Sequence, residues 1–351
     1  MIFCVSHRII DHAEFPYVRS VNGLLVYSST PLEDCNFFGY RLSSFYSGNW
    51  WTIEFSGDQV RFARSVLADY RWGSDVNNGV LLTNHPNFLK IYLSSLAVSA
   101  SVCCKNSKIT LEKYRFNSKR DTKDLVSVTD EVQQRLLQNF DILLSQYNCQ
   151  HVSYSLGMDS SVNVLNSLSK PVTILITDRT QKELLSHNVS FIDNQIMSPE
   201  IRSRRPEFGT ADRQVDQHFY DVQRVIDGSY GDLTLGHTGF FSRLPPEERL
   251  KFSTDQIYDS RPSNLPPLAT RNQILYELVN TAVHEARRGI FSDHCVYDTY
   301  RDIDLLEMLM QLSTDELIRQ LITGHIQKCI LAGSGLLVTQ HKGQTSSVCI
   351  A

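Results

Sequence analysis

The sequence predicts a mixed α/β protein with a β-rich N-terminal part and a C-terminal part in which strands alternate with helices. The chain has 351 residues, a length typical of two domains. Short runs rich in β-branched and aromatic residues, bounded by Gly, Asn and Asp, fill roughly the first third of the chain. From Thr129 onward apolar residues recur at helical spacing, and these segments alternate with apolar strands, as in βα units with a parallel sheet.

The N-terminal part contains four clear strand patterns, which lie at residues 22–29, 50–57, 59–66 and 78–84. Gly57 and Asp58 separate two of them and predict a hairpin turn. A polar and basic segment at 112–124 reads as a linker. We therefore place the first domain at residues 1–120 and the second at residues 125–351.

The C-terminal part begins with a helix for which Thr129 is a suitable N-cap. A short strand at Val152 and Tyr154 precedes a helix through Val162 and Leu165, and an apolar strand follows at 172–177. Further along, the pattern predicts a helix at 214–226 and a strand at 232–236. The rest of the chain is mostly helical, with helices expected at 271–289, 302–312 and 315–322.

Composition limits the classes of function. The chain is 42% hydrophobic and 21% charged, which is typical of a globular protein, and its net charge of −4 gives no reason to expect nucleic acid. No apolar run reaches the roughly 18–20 residues of a membrane span, and polar residues at 6–8 interrupt the region where an export signal would be apolar. Eight cysteines without a C-x-x-C pair indicate reduced thiols. We expect a cytoplasmic protein with neither nucleic-acid nor membrane partners.

The segment "HVSYSLGMDSSVN" (151–163) joins a strand to a helix through a loop rich in Gly, Ser and Asp. In an open parallel sheet ligands bind at this position, where helix N-termini favour anions. Gly157 lets the backbone approach a phosphate, and the hydroxyls of Ser155, Ser160 and Ser161 can donate to its oxygens. Asp159 suits a Mg²⁺ that bridges to the phosphate. Ordinary helix capping explains the same residue types, and composition alone leaves both readings open.

The stretch "YSLGMDSS" resembles the S-G-G-x-D-S pyrophosphate loop of ATP pyrophosphatases, with Leu156 in place of the first glycine. Three further segments, at 233–241, 297–317 and 339–347, follow in the order of the asparagine synthetase-like family. That family includes asparagine synthetase, β-lactam synthetase and the lasso-peptide cyclases. The last of the three segments resembles its C-terminal loop with a catalytic lysine.

This resemblance implies a fold for each domain. The first would be a degenerate glutaminase-like domain of the Ntn amidohydrolase type, because Ile2 stands where glutamine-using members have cysteine and Cys4 comes two residues too late. The second would be an adenine-nucleotide α-hydrolase-like doubly wound parallel sheet with a helical C-terminal part. The resemblance thus implies an enzyme that does not use glutamine.

The activity it implies is ATP- and Mg²⁺-dependent amide formation, in which a carboxylate is adenylated and an amine attacks. His237 would be the general base and Lys342 would neutralise developing charge. Asp159 would bind the metal, and the nucleotide would contact Ser155, Gly157, Asp159, Ser160, Ser161, Thr177 and Gly236. The acid and the amine would come from a small molecule or a peptide, with a precursor peptide and a companion protease as partners.

Alternatives to these assignments stay open. His237 is also explained as a histidine hydrogen-bonded within its loop, and Lys342 as a solvated residue of a mobile tail. The family's second metal-binding aspartate falls at Phe240, which cannot bind a hard cation, and Asp232 could replace it only in another strand register. A degenerate, non-catalytic synthetase that serves as a scaffold subunit of a biosynthetic complex is the alternative function.

Overall fold

A computed structural model describes residues 3–11, 15–68, 72–85, 88–94, 96–116, 122–176, 178–187, 196–197, 201–203, 218–220, 224–235, 296–342 and 345–351. The described residues up to Phe116 form one compact unit, and those from Thr122 onward form a second. None of the described helices is both long enough and apolar enough to span a lipid bilayer.

The first unit contains two antiparallel sheets. The six-stranded sheet has the order β2-β3-β1-β8-β7-β9 and comprises β1 (Phe3–Ser6), β2 (Tyr17–Val21), β3 (Leu24–Ser28), β7 (Gly73–Asp75), β8 (Val80–Thr83) and β9 (Ile91–Tyr92). The five-stranded sheet has the order β11-β10-β6-β5-β4 and comprises β4 (Cys35–Arg41), β5 (Gly48–Ser56), β6 (Gln59–Arg64), β10 (Ala97–Cys103) and β11 (Ile109–Lys113). A single 3₁₀ turn occupies Val76–Asn78. The four strands expected from the sequence are all present.

Alternation along the strands explains how these sheets pack. Residues 59–64 alternate between exposed or half-buried and buried positions, so that Val60 and Phe62 face the core. Phe62 stacks on Phe3 of the other sheet with ring centroids 4.5 Å apart, and both rings are buried. Gly57 and Asp58 form the expected hairpin turn, in which Gly57 takes a φ of +52° that glycine adopts at little cost.

The second unit contains a five-stranded sheet in which every pairing is parallel. Its order is β14-β13-β12-β17-β18, formed by β12 (His151–Tyr154), β13 (Thr173–Ile176), β14 (Ile196–Met197), β17 (Val225–Asp227) and β18 (Val296–Asp298). Two antiparallel pairs accompany it, β15 (Ile201–Ser203) with β16 (His218–Tyr220) and β19 (Leu337–Lys342) with β20 (Thr345–Ile350). The chain runs from β12 outward to β14 and then returns to β17 on the other side of β12. The switch point of the sheet therefore lies between β12 and β17.

Seven helices are described in this unit: α1 (Leu125–Tyr147), α2 (Met158–Ser167), α3 (Asp178–Ser186), α4 (Gly231–Thr234), α5 (Ile303–Leu309), α6 (Thr314–Thr323) and α7 (His325–Leu331). In α1 the buried residues Val132, Leu136, Phe140 and Leu143 recur at intervals of three and four, which gives the helix one apolar face. Ser313 and Glu316 form a capping box at the start of α6.

Three sequence expectations are wrong in detail. Asp124, not Thr129, caps α1, and the Thr129 hydroxyl instead donates to the Leu125 carbonyl inside the helix. The described residues of the expected helix at 214–226 contain no helix. Residues 218–220 form β16, and β17 begins at Val225, which is buried with Ile226 inside the parallel sheet. The expected strand at 232–236 is the single turn α4 as far as Thr234. The expected helix at 271–289 lies outside the described residues.

Candidate functional site

The candidate site lies at the carboxyl ends of β12, β17 and β18. The Ser153 hydroxyl on β12 donates to the Asp227 carboxylate at the end of β17, with an oxygen–oxygen distance of 2.6 Å. The Asn163 side chain on α2 donates to the Asp227 carbonyl at 3.0 Å. The first bond ties β12 to β17, and the second ties α2 to β17. Both lie at the switch point, where ligands of open α/β sheets bind.

The loop from Ser155 to Gly157 opens directly into α2. Ser155 is exposed, and Gly157 is the N-cap with extended backbone. No side-chain hydrogen bond caps this end of α2. The peptide between Asp159 and Ser160 packs against Gly228, where a Cβ would lie 2.8 Å from the Ser160 nitrogen. The positive end of the helix dipole favours a bound anion at such an end.

The two serines in the first turn of α2 hold the loop in shape. Both hydroxyls donate to the Gly157 carbonyl, Ser160 at 2.9 Å and Ser161 at 2.8 Å. The Ser160 oxygen in turn accepts the Ser155 backbone N–H at 3.2 Å. Side chains at 160 and 161 therefore rigidify the backbone, and Ser155 presents the most accessible of the three hydroxyls.

Asp159 points into the protein. Its carboxylate accepts a hydrogen bond from the Gln327 side chain at 3.1 Å and lies so close to Gly231 that a Cβ there would come within 2.1 Å of Asp159 Cγ. Its backbone carbonyl accepts the Tyr300 hydroxyl at 3.1 Å. Glycine at position 231 is therefore a requirement of this packing.

The Asp232 carboxyl, in the first turn of α4, both repels and hydrogen-bonds the Asp159 carboxyl. Burial first, and then Asp232, raise the pKa of Asp159 well above its usual range, although the Gln327 hydrogen bond lowers it. The sequence analysis expected Asp232 to replace the missing metal-binding aspartate only in another strand register. Asp232 instead lies beside Asp159 because residues 231–234 form a helical turn.

Asp298 at the end of β18 is a second buried acid at this edge of the sheet, and the sequence analysis missed it. Its oxygens accept the backbone N–H groups of Tyr230 at 2.9 Å and Tyr300 at 2.8 Å. Burial and the Asp227 carboxylate raise the pKa of Asp298 to about 7. An acid that ends a short apolar strand, as Asp227 also does, was the signal available in the sequence.

Among the described residues, no three His, Cys, Asp or Glu side chains are arranged to hold a metal ion together. Mg²⁺ is commonly bound by one or two carboxylates, with phosphate oxygens and waters as its other ligands. The buried Asp159 carboxyl and the half-buried Asp232 carboxyl repel each other when both are ionised, and a divalent cation relieves that repulsion. The donor set of Asp159 and Asp232 therefore fits a Mg²⁺ that arrives with a phosphate ligand.

The C-terminal hairpin of β19 and β20 contacts the loop. The Thr339 backbone N–H donates to the Leu156 carbonyl at 2.7 Å, and the Tyr154 hydroxyl donates to the Leu337 carbonyl at 2.6 Å. Lys342 ends β19, where it pairs with Thr345, so its backbone belongs to a strand and not to a loop or a tail. Three residues of strand place its Cα about 10 Å along the strand from Thr339.

Several expected site residues lie outside the described residues, namely Thr177, Gly236, His237 and Phe240. The structure thus brings together the loop residues, Asp232 and the backbone of β19.

In the first unit, Cys4 is fully buried in β1, and burial raises the pKa of its thiol to about 12. A buried, protonated thiol is not a nucleophile.

Comparison with known proteins adds no relative: no family model matches the chain, and no curated protein matches it significantly.

Proposed function

We propose that this protein is an ATP-dependent, AMP-forming amide synthetase of the asparagine synthetase-like type, with motifs nearest to those of lasso-peptide cyclases. A carboxylate would displace pyrophosphate from ATP to give an acyl-adenylate, and an amine would then displace AMP to give the amide. The observation that carries the proposal is the uncapped N-terminus of α2 beside the Asp159–Asp232 pair, at the switch point of a parallel sheet.

Each part of this site has a role in the proposal. The first-turn amides of α2 and the Ser155 hydroxyl would hold the outer phosphates, while Ser160 and Ser161 keep Gly157 and its neighbours in place. Asp159 and Asp232 would hold Mg²⁺, which neutralises phosphate charge when bound. His237 and Lys342 keep their expected roles as general base and charge-neutralising cation, and Thr177 and Gly236 their expected place beside the nucleotide.

The fold supports a finer interpretation of the two units. We infer that the second is adenine-nucleotide α-hydrolase-like, since its strand order places the loop at the switch point. We infer that the first is a degenerate Ntn-type domain, because Cys4 is inaccessible and glutamine could not be its ammonia source. All seven described cysteines are free thiols, which supports a reducing, cytoplasmic compartment.

Binding of Mg·ATP, measured by isothermal titration calorimetry, tests the proposal directly. The wild type should bind Mg·ATP, and Asp159→Asn should weaken that binding at least about tenfold, because one metal ligand is lost. Asp130→Asn is the matched control, since Asp130 is an exposed acid on α1. Release of pyrophosphate on addition of candidate carboxylates would then identify the acid. If the wild type does not bind Mg·ATP, the proposal that this protein is an ATP-dependent synthetase is wrong.

One observation favours the second candidate function, a scaffold subunit that has lost catalysis. The hydroxyls of Ser160 and Ser161 donate to the Gly157 carbonyl, so they would have to break these bonds to donate to a phosphate. Leu156 also holds a backbone conformation better suited to the glycine of the motif, with a φ of +64°. For a scaffold, Asp159→Asn should leave binding to its partner subunits unchanged.

A further inference from the structure

Two buried glutamines connect Asp159 to the end of α4. The Gln327 side chain on α7 donates to Asp159 Oδ1 at 3.1 Å, and its own oxygen accepts from the Gln320 side chain on α6 at 3.0 Å. Gln320 also donates to the Leu235 carbonyl at 3.2 Å. Both glutamines are completely buried. We call this chain, from Asp159 through Gln327 and Gln320 to Leu235, the amide relay.

One backbone group sets the direction of the amide relay. The Ile326 N–H, in the first turn of α7, donates to the Gln320 oxygen at 2.7 Å. The Gln320 nitrogen must then face the two acceptors, the Leu235 carbonyl and the Gln327 oxygen. The Gln327 oxygen is thereby occupied, which leaves its nitrogen to donate to Asp159. The start of α7 thus ensures that a hydrogen-bond donor, and not an acceptor, meets the carboxylate.

The amide relay connects two segments whose relative position is important for the proposed site. Asp159 belongs to the first turn of α2, while Leu235 follows α4, the turn that carries Asp232. The helix α7 packs against α2, so Gln327 reaches Asp159 from an element outside the loop itself. Loss of Gln327 would remove one partner from the buried Asp159 carboxyl, and loss of Gln320 would remove the donor to the buried Gln327 oxygen. A buried polar group that loses a partner costs more than the bond alone.

We propose that Gln327 and Gln320 are positioning residues that hold the Asp159 carboxylate, and with it the turn that bears Asp232, in the geometry that binds the Mg²⁺ of a Mg·nucleoside triphosphate. This inference rests on the proposed function. Residues that hydrogen-bond to a metal ligand without contacting the metal orient that ligand, and their loss commonly lowers metal affinity by a factor of 10 to 100. Neither glutamine contacts the nucleotide itself in this proposal.

Substitution by methionine, which keeps the length of glutamine without its amide, tests the amide relay. Calorimetry with Mg·ATP should give a dissociation constant about tenfold higher for Gln327→Met and a smaller increase for Gln320→Met, one step further away. Gln311→Met is the matched control, since Gln311 is also buried and donates to the Glu307 carbonyl at 3.3 Å, outside the relay. This control should lose thermal stability without any loss of affinity.

A double-mutant cycle separates positioning from general stability. If Gln327 acts through Asp159, Gln327→Met should have no further effect on Mg·ATP affinity in an Asp159→Asn background. Additive effects in the cycle, or equal affinities of wild type and Gln327→Met, would overturn the relay and leave the proposed function intact. No Mg·ATP binding by the wild type would overturn both. If Gln327→Met does not fold, Gln320→Met and its cycle with Asp159→Asn decide by the same criteria.

Discussion

The two units treat buried polar groups in opposite ways. In the first, the fully buried Arg64 donates to the Ala97 carbonyl at 3.0 Å, and its guanidinium lies 4.7 Å from the centre of the Trp72 ring. In the second, Asp159, Asp232 and Asp298 gather where three regions of the chain meet. Burial raises the pKa of both Asp159 and Asp298, with further contributions from Asp232 and Asp227 respectively. The first unit disperses its buried polar groups, whereas the second concentrates acids in one place.

Sheet type explains the contrast. Neighbouring antiparallel strands end at opposite edges, so polar residues at strand ends are spread over both edges. Parallel strands all end at the same edge, and the residues that follow them converge there. Asp227 and Asp298 end adjacent parallel strands, and the loop after β12 reaches the same edge. A concentrated cluster of acids is therefore a consequence of the second fold and not of composition.

The largest expected effect concerns two thiols of the first unit, one buried and one exposed. Cys4 is inaccessible and its thiol has a pKa of about 12, whereas Cys35 is exposed on β4. Cys4 should therefore react with iodoacetamide at pH 8 at least about a thousandfold more slowly than Cys35, because the thiolate is the reactive form. Mass spectrometry of timed samples gives both rates. Cys35→Ser removes the fast signal as a control, and rapid labelling of Cys4 would reopen glutamine use by the first unit.

The sequence predicts local features of both units well. Alternation of apolar residues located the strands of the first unit, and the Gly–Ser–Asp pattern located the loop between β12 and α2. Prediction from the sequence failed at β17 for two reasons. Apolar residues at 215, 219, 222 and 226 have helical spacing, and a three-residue strand is too short to show its own period. The acid cluster could not be predicted, since its members are far apart in sequence and only the sheet order brings them together.

A smaller effect, which does distinguish the two units, should appear in the pH dependence of their stability. The pKa of Asp298 is about 7 when folded, against roughly 4 for an unfolded aspartate, so the folded protein binds an extra proton between these values. The free energy of unfolding should therefore fall as the pH rises from 5 to 8, with an Asp298 contribution on the order of 2 kcal/mol. The raised pKa of Asp159 acts in the same direction.

Two optical probes can assign this decrease in the free energy of unfolding to one of the two units. The chain has three tryptophans, all at positions of the first unit, while the seven described helices all belong to the second. Urea unfolding followed by circular dichroism at the helix band should therefore show a larger decrease in stability with pH than unfolding followed by tryptophan fluorescence. Asp130→Asn should leave both curves unchanged. Equal shifts with both probes would mean that the acid cluster does not distinguish the units.

The smallest expected effect concerns Leu156, the residue that replaces the first glycine of the pyrophosphate motif. It is buried, yet its φ of +64° is a left-handed conformation that favours glycine. Leu156→Gly and Leu156→Ala both lose the side chain, but only glycine relieves the backbone strain, so Leu156→Gly should be the more stable by about 1 kcal/mol. At Leu143, buried within α1, the order should reverse by a similar amount, because alanine favours the helix. Urea unfolding of the four variants measures both differences. If alanine were the more stable residue at both positions, the strain at Leu156 would be absent, and the loop would differ from the motif only in its side chain.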